Sequence, residues 1–266
     1  MLHTLNDLEG FAIQAIDGNI GTIKDFYFDD RRWVIRHLVV ETGSIFESRK
    51  VLLSPVHIKH LNRESKTLMV DLSVSEIKNS PHIDTDRPVS QQYEIDYLSY
   101  YGYAFYWGTN SLWDSNADPK ALTATGENPK AAETFAAIDT VRRMHGDRHL
   151  RSCNEIVNYH IQASDGEIGH LQGMMIDEDT WAIRYFIANT SNWWLGHQVL
   201  IDPQEVQDIS WGNAKIYVHM TQQQIQNAPL FDPEVPLNRQ KELGVYLHYG
   251  RDGYWEDGVE SKTSLR

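Results

Sequence analysis

An internal repeat constrains the fold of this chain more than any other feature of its sequence. At an offset of 148 residues, 8–107 align with 156–255 without a gap, and about 27 of these 100 positions are identical. The matched stretches include IQAIDGNIG with IQASDGEIG and VLLSP with VLIDP. Copies of about 100 residues are too long to be solenoid units, so each copy is expected to be a small domain with its own core.

Each copy opens with a pattern of short strands. In the first copy, Asp17-Gly18 lies between apolar residues, which predicts a tight turn between two strands. Residues 33–40 are apolar and β-branched but too few for a typical helix, so they indicate a buried strand, and 51–53 and 67–72 add more. Five or six short strands with tight turns favour a small barrel, because closure removes exposed strand edges.

The repeat and its flanking segments predict a four-part, mainly β chain. We expect a first barrel with an aromatic-rich tail at 1–107, a linker at 108–152, a second barrel with a similar tail at 153–255, and a polar tail at 256–266. Within the linker, 131–144 carries apolar residues near helical spacing. This spacing predicts a single amphipathic helix there.

Four positions recur at the same register and mark the repeat. They are Gly18 and Gly166, Gly21 and Gly169, Trp33 and Trp181, and Arg36 and Arg184. Positive φ in a turn explains the first glycine of each pair, and close approach of backbones explains the second. The arginines lie in strands expected to be buried, so each either forms an ion pair, with the acidic turn of its own copy as one partner, or points outward into solvent.

The order DGxIG, D-[DE]-x-x-W-x-I-R and VL[LI]xP, with strands between, resembles the PRC-barrel family over Leu8–Asn79 and Ile156–Asn227. That family is a small β-barrel found in the cytoplasmic domain of the photosynthetic reaction centre H subunit and at the C-terminus of a ribosome-maturation factor. The resemblance implies two tandem PRC-barrels that bind other proteins and catalyse no reaction.

Composition and motifs argue against several other classes. The chain has 24 Lys and Arg against 37 Asp and Glu, a net charge of −13, which disfavours nucleic-acid binding. A single cysteine, Cys153, excludes an internal disulfide and a cysteine-based zinc site. His57-x-x-His60 is replaced by Glu205 and Asp208 in the second copy, so these histidines are interpreted as solvent-facing or polar structural residues. We expect no catalytic residue, cofactor or metal site, and no enzyme.

The aromatic residues are the candidates for interaction. Trp193-Trp194 replace an Ile-Phe pair of the first copy in the loop before VLIDP, and they are the candidate partner-binding residues. Trp107 and Trp255 end the two tails at the same register and are candidates for a seam between the copies. The alternative is that each tail covers the outside of its own barrel.

The resulting hypothesis is that the protein is a cytoplasmic scaffold that binds a protein partner of unknown identity. One form of this hypothesis adds that the scaffold is a homo-oligomer. A soluble relative of the H subunit would associate peripherally with a membrane electron-transfer complex, without membrane insertion. A ribosome-assembly accessory would bind a basic ribosomal protein, which an acidic chain suits. The competing hypothesis is a small-ligand binder or enzyme in a cleft between the barrels.

Overall fold

The computed structural model describes residues 1–43, 48–81, 100–102, 150–190 and 197–255. These residues belong to two compact units. Unit 1 contains Met1, 3–155 and 176–183, and unit 2 contains Leu2, 156–175 and 184–266. The predicted linker helix at 131–144 and the polar tail at 256–266 lie outside the described residues.

The first repeat forms short strands and small helices in the expected order. Its strands are β1 (Leu2–Thr4), β2 (Ala12–Ala15), β3 (Gly18–Asp29), β4 (Val34–Thr42), β5 (Arg49–Leu53), β6 (Ile58–Asn62) and β7 (Thr67–Val70). Helices α1 (Leu5–Leu8) and α2 (Val74–Asn79) and a 3₁₀ turn at Pro55–His57 complete it. Ser73 caps α2 by accepting a hydrogen bond from the Glu76 N–H, and the Glu76 carboxylate accepts from the Ser73 N–H.

One sheet organises unit 1. Its strands follow the order β5-β4-β3-β2-β7-β6, in which β2 and β7 are parallel and the other neighbours are antiparallel. A further strand, β8 (Leu150–Ser152), pairs antiparallel with the end of β3, although it lies in the predicted linker. The long β3 contributes buried apolar side chains to the core, and two register shifts in its pairing with β4, between Ile23 and Asp25 and between Tyr27 and Phe28, interrupt their alternation. The largest fully buried apolar side chains of this core are Phe26, Phe28, Leu8, Ile13, Ile23, Ile35, Leu38 and Leu52.

The second repeat has the same element order. Its remaining strands are β9 (His160–Ala163), β10 (Gly166–Asp177), β11 (Ile183–Asn189), β12 (Gln198–Ile201), β13 (Val206–Ser210) and β14 (Lys215–Val218). Its helices are α3 (Cys153–Ile156), α4 (Gln222–Gln226) and α5 (Arg239–Tyr249), with 3₁₀ turns at Pro203–Glu205 and Trp211–Asn213.

The second sheet repeats the order of the first, β12-β11-β10-β9-β14-β13, and β1 pairs with β10. The prediction of a mainly β chain with two barrel-like repeats is confirmed. Among the described residues, each strand path stays open between its first and last strand, so neither barrel is closed by hydrogen bonds there.

Helix α5 covers the second sheet with part of the aromatic tail. Asn238 caps it by accepting from the Lys241 N–H at 3.0 Å, and Gly250 ends it in the left-handed conformation at φ 68°. The apolar cluster on this side of unit 2 contains Met175, Tyr185, Ile187, Leu200, Phe231, Val245 and Tyr246. No helix in the described ranges is both long and apolar enough to cross a membrane.

Candidate functional site

The DG turns fasten the short helices of both repeats. The Asp17 carboxylate accepts a hydrogen bond from the Val74 N–H at 2.7 Å, and Asp165 accepts from the Gln222 N–H at 2.7 Å. These bonds join segments 57 residues apart and satisfy a free N–H at the start of each helix. The repeated aspartates are therefore helix caps.

The repeated glycines are required by the backbone. Gly18 and Gly166 have φ of 157° and 154°, a region that side chains disfavour. At Gly21 an added Cβ would lie 1.9 Å from the Glu41 carbonyl oxygen, and at Gly169 it would lie 2.0 Å from the Asn189 carbonyl oxygen. The structure places the second glycine of each repeat where two strands approach closely.

The repeated tryptophans bend the chain before a strand. Trp33 and Trp181 have positive φ of 54° and 59°, which bulky residues rarely adopt. Trp33 stacks on Phe28 with ring centroids 5.8 Å apart. Within unit 1, the Ile183 N–H donates to the Trp33 carbonyl at 2.7 Å, and the Ile35 N–H donates to the Trp181 carbonyl at 2.9 Å. Both tryptophans thus position backbone hydrogen bonds inside unit 1.

The repeated arginines differ in their surroundings. Arg36 is completely buried and its Nη2 donates to the Asp29 carboxylate at 2.9 Å, which is the ion pair with the acidic turn that the sequence predicts. Burial alone would raise the pKa of Asp29, but the Arg36 guanidinium and the backbone N–H groups of Arg31 and Arg32 lower it below the ordinary value. Arg184 is also buried, and its guanidinium lies 4.0 Å from the centre of the Tyr254 ring.

The remaining reactive side chains have structural surroundings. His57 is buried, and its Nδ1 lies 2.8 Å from the Asp71 carboxylate, while His60 is exposed. Burial lowers the pKa of His57 despite that carboxylate. Burial also raises the pKa of the Cys153 thiol well above its ordinary value, which keeps the thiol neutral. No group of three or more His, Cys, Asp or Glu in the described ranges could hold a metal ion.

The described parts of both aromatic tails dock on the short helix of their own repeat. The Tyr100 hydroxyl donates to the Glu76 carbonyl at 2.9 Å, and the aligned His248 Nε2 lies 2.7 Å from the Gln224 carbonyl. Each of these residues stands two positions before a left-handed glycine. In the described residues, each tail thus contacts the short helix of its own repeat.

The sequence-predicted tryptophans fall in different places. Trp255 packs edge-on against Tyr246 at 5.3 Å, and the Arg239 guanidinium lies 4.1 Å from its ring centre, all within unit 2. Trp107, Trp193 and Trp194 lie outside the described residues. A seam between copies and a partner site at Trp193-Trp194 therefore stay predictions.

Unit 2 contains a polar cavity of about 310 Å³ beside the end of α5. We call it the tail pocket, and it is lined by Asp202, Gln204, Tyr246, Gly250, Arg251, Asp252 and Tyr254. The turn after β12 supplies Asp202 and Gln204, and α5 with the following tail supplies the others. Sequence reasoning missed this site, because its two segments are more than forty residues apart.

Asp202 is the buried carboxylate of the tail pocket. Its side chain accepts a hydrogen bond from the Gln204 N–H at 2.8 Å. Burial raises the pKa of Asp202, although that N–H and the Arg251 guanidinium act in the opposite direction. Burial also raises the pKa of the neighbouring Tyr246 hydroxyl, so the tyrosine stays a neutral hydrogen-bonding group.

Arg251 is held by acceptors at the edge of the tail pocket. Its Nε lies 2.5 Å from the Glu205 carboxylate and its Nη1 donates to the Gln204 side-chain oxygen at 2.9 Å. Tyr246 and Tyr254 also line the cavity, and Asp252 is exposed. The pocket therefore combines two carboxylates and two aromatic rings with an arginine already paired to an acid.

The comparison with family models agrees with this architecture. Residues 2–77 match the model of the PRC-barrel domain. The first repeat is therefore a PRC-barrel domain, and the family resemblance of the sequence is confirmed. No significant match was found among curated proteins. PRC-barrel domains are in general non-enzymatic modules that mediate protein interactions.

Proposed function

We propose that this protein is a non-catalytic adaptor that binds a basic protein partner, mainly through its second repeat. Family membership supports an interaction module. The repeated polar residues support the same conclusion, because they cap helices, as Asp17 and Asp165 do, or pair inside the fold, as Arg36 does. The positions shared by both copies thus maintain the scaffold, and recognition belongs to the positions that differ.

Charge is the observation that carries the proposal. Residues 8–79 contain ten Lys and Arg and ten Asp and Glu, whereas the aligned 156–227 contain two and eight. The two stretches form two separate sheets with the same strand order, so the fold does not require this difference in charge. An excess of acidic side chains on one copy attracts basic partners, speeds their association and disfavours acidic ones.

The loop at 191–196 is the proposed contact for the apolar part of the partner. Trp193 and Trp194 belong to it, and tryptophan is enriched among the residues that dominate interface energies. Tryptophans in a repeat with an excess of acidic residues fit a partner that offers an apolar patch with a basic rim. The two tryptophans are therefore the first residues to replace.

Two classes of partner follow from the family. In the first, the protein is a cytoplasmic relative of the H-subunit barrel and docks on a membrane electron-transfer complex from outside the bilayer. In the second, it is an accessory of ribosome assembly that binds a basic ribosomal protein. The acidic second repeat favours the second class, because ribosomal proteins must neutralise RNA phosphates with basic side chains. Self-association is a further form of the same adaptor role.

Affinity capture tests the proposal. The tagged full chain is incubated with membrane and ribosome fractions of its native cell, alongside the Trp193→Ala/Trp194→Ala variant. We expect a basic protein to be enriched from one fraction, with at least about tenfold less recovered by the variant, since loss of hot-spot tryptophans costs about 2 kcal/mol or more. If no specific protein is recovered from either fraction, the adaptor proposal is contradicted. If the variant recovers the partner as well as the unmodified chain does, Trp193 and Trp194 are not the contact.

A further inference from the structure

The residues that line the tail pocket of the second repeat are more polar than those aligned with them in the first. They are Asp202, Gln204, Tyr246, Arg251 and Asp252, together with a shared glycine and a shared tyrosine. The aligned residues of the first repeat are Ser54, Val56, Leu98, Tyr103 and Ala104. At five aligned positions the second repeat thus has the charged or more polar residue. A change concentrated at one cavity indicates a role for that cavity.

The fold does not need the charge of Asp202. In the first repeat the Ser54 hydroxyl accepts a hydrogen bond from the Val56 N–H at 3.4 Å, and in the second Asp202 accepts from the Gln204 N–H at 2.8 Å. Serine therefore supports the same 3₁₀ turn. Asp202 is only 7% exposed, and the Gln204 N–H, a hydrogen bond with the Tyr246 side chain and the nearby Arg251 guanidinium offset part of the cost of burying its charge.

The Arg251 guanidinium favours the charged form of Asp202, but its own hydrogen bonds go to other acceptors. Arg251 binds the Glu205 carboxylate at 2.5 Å and the Gln204 oxygen at 2.9 Å. Arg239 binds the Glu242 carboxylate at 2.7 Å. An entering anion would meet Asp202 and Asp252, whereas an entering cation would offset both. The cavity therefore favours a positively charged occupant.

One of the two lining tyrosines, Tyr254, shows how this part of the fold packs guanidinium groups on an aromatic ring. The Tyr254 ring lies 4.0 Å from the Arg184 guanidinium and 5.2 Å from that of Arg239. Planar guanidinium groups stack on aromatic faces and donate paired hydrogen bonds to carboxylates, which ammonium groups do less well. The volume of about 310 Å³ is at the lower end of ligand pockets, roughly 300–1,000 Å³, and suits one side chain.

We propose that the tail pocket binds an arginine side chain of the protein partner, between the carboxylates of Asp202 and Asp252. This inference rests on the proposed function and specifies the partner chemistry. The guanidinium donates to the buried Asp202 carboxylate, and Asp252 at the exposed rim attracts the charge as it approaches. Gly250, which has no side chain, leaves the entrance open.

The test uses the isolated full chain, so it does not depend on capturing a partner. Amide resonances in two-dimensional NMR spectra are followed during titration with N-acetyl-arginine methylamide, with the lysine compound and with the neutral citrulline compound of the same shape. We expect saturable shifts at the amides of Gln204, Gly250 and Asp252, strongest for the arginine compound. Absence of saturable shifts there, or equal shifts from citrulline, overturns the proposal.

Variants that take over residues of the first repeat provide the control. Asp202→Ser keeps the turn, as Ser54 does, and Asp252→Ala copies Ala104, so the double variant is expected to fold. It should bind the arginine compound at least about tenfold more weakly, whereas Asp208→Ser, a matched loss of an exposed charge outside the pocket, should bind unchanged. If the double variant binds the arginine compound as tightly as the unmodified chain does, the pocket proposal is refuted and the adaptor function is not. If the unmodified chain binds the arginine compound but captures no partner, the adaptor function is refuted and the pocket proposal is not.

Discussion

Replacing Gly21 by alanine tests the close approach of β3 and β4, on which the barrel of the first repeat depends. The new Cβ would lie 1.9 Å from the Glu41 carbonyl oxygen, whereas ordinary contact begins near 3.4 Å. The strands must therefore move apart by about 1.5 Å, which takes hydrogen bonds of about 2.9 Å beyond bonding range. Neighbouring pairs in this register are Gly21 with Thr42 and Thr22 with Glu41.

Losing about two backbone hydrogen bonds at about 1 kcal/mol each, plus strain of about 1–2 kcal/mol, lowers the free energy of unfolding by about 3–4 kcal/mol. For a chain of this size that lowers Tm by roughly 6–16 °C. Gly244→Ala is the matched control, because nothing lies within 4 Å of its added Cβ and it sits inside α5. We expect it to raise the free energy of unfolding by about 0.5–1 kcal/mol. Calorimetry measures the Tm of each variant. A Tm of Gly21→Ala within about 1 °C of that of the unmodified chain, which corresponds to about 0.5 kcal/mol, would refute this reasoning.

The remaining predictions concern two buried groups. The lowered pKa of Asp29 contributes stability that is present above its unfolded value, near about 3.9, and is lost as pH falls through the folded value. Because Asp29→Asn leaves Arg36 without its charged partner, urea unfolding should show this variant to be about 3 kcal/mol less stable than the unmodified chain at pH 7. Near pH 3 the difference in stability should be smaller, because Asp29 of the unmodified chain is then partly protonated. An equal difference at both pH values would contradict the ion pair. Cys153 is 2% exposed with a raised thiol pKa, so it should resist maleimide at about pH 8 until guanidinium unfolds the chain, and rapid labelling of the native protein would show that the thiol is accessible.

Local patterns predicted much of the fold. The repeat, the DG turns and the runs of apolar and β-branched residues indicate strands that the structure contains. The Asp29–Arg36 ion pair could also be predicted from the sequence, because both residues flank one turn. These features depend on neighbours in sequence, where turn chemistry and periodicity act directly.

Long-range contacts explain what sequence reasoning missed. The caps from Asp17 and Asp165 span 57 residues. The strand β8 lies in the predicted linker. It pairs with residues 27–29 of β3, which extend beyond the part of β3 that pairs with β2 and so leave one edge open. The tail pocket joins the turn at Asp202 to the end of α5. One signal was present, since Asp202 stands where the first copy has Ser54, and reading the differences between copies would have exposed it.

The most direct test of the account is to map the surface that the captured partner covers on the full chain. Hydrogen exchange of the complex and of the free protein, compared peptide by peptide, should show protection at 202–204 and 246–254 of the second repeat. The aligned peptides of the first repeat at 54–56 and 98–106 should exchange unchanged. Protection confined to the first repeat, or none on the second, would contradict the claim that the acidic second repeat is the recognition domain.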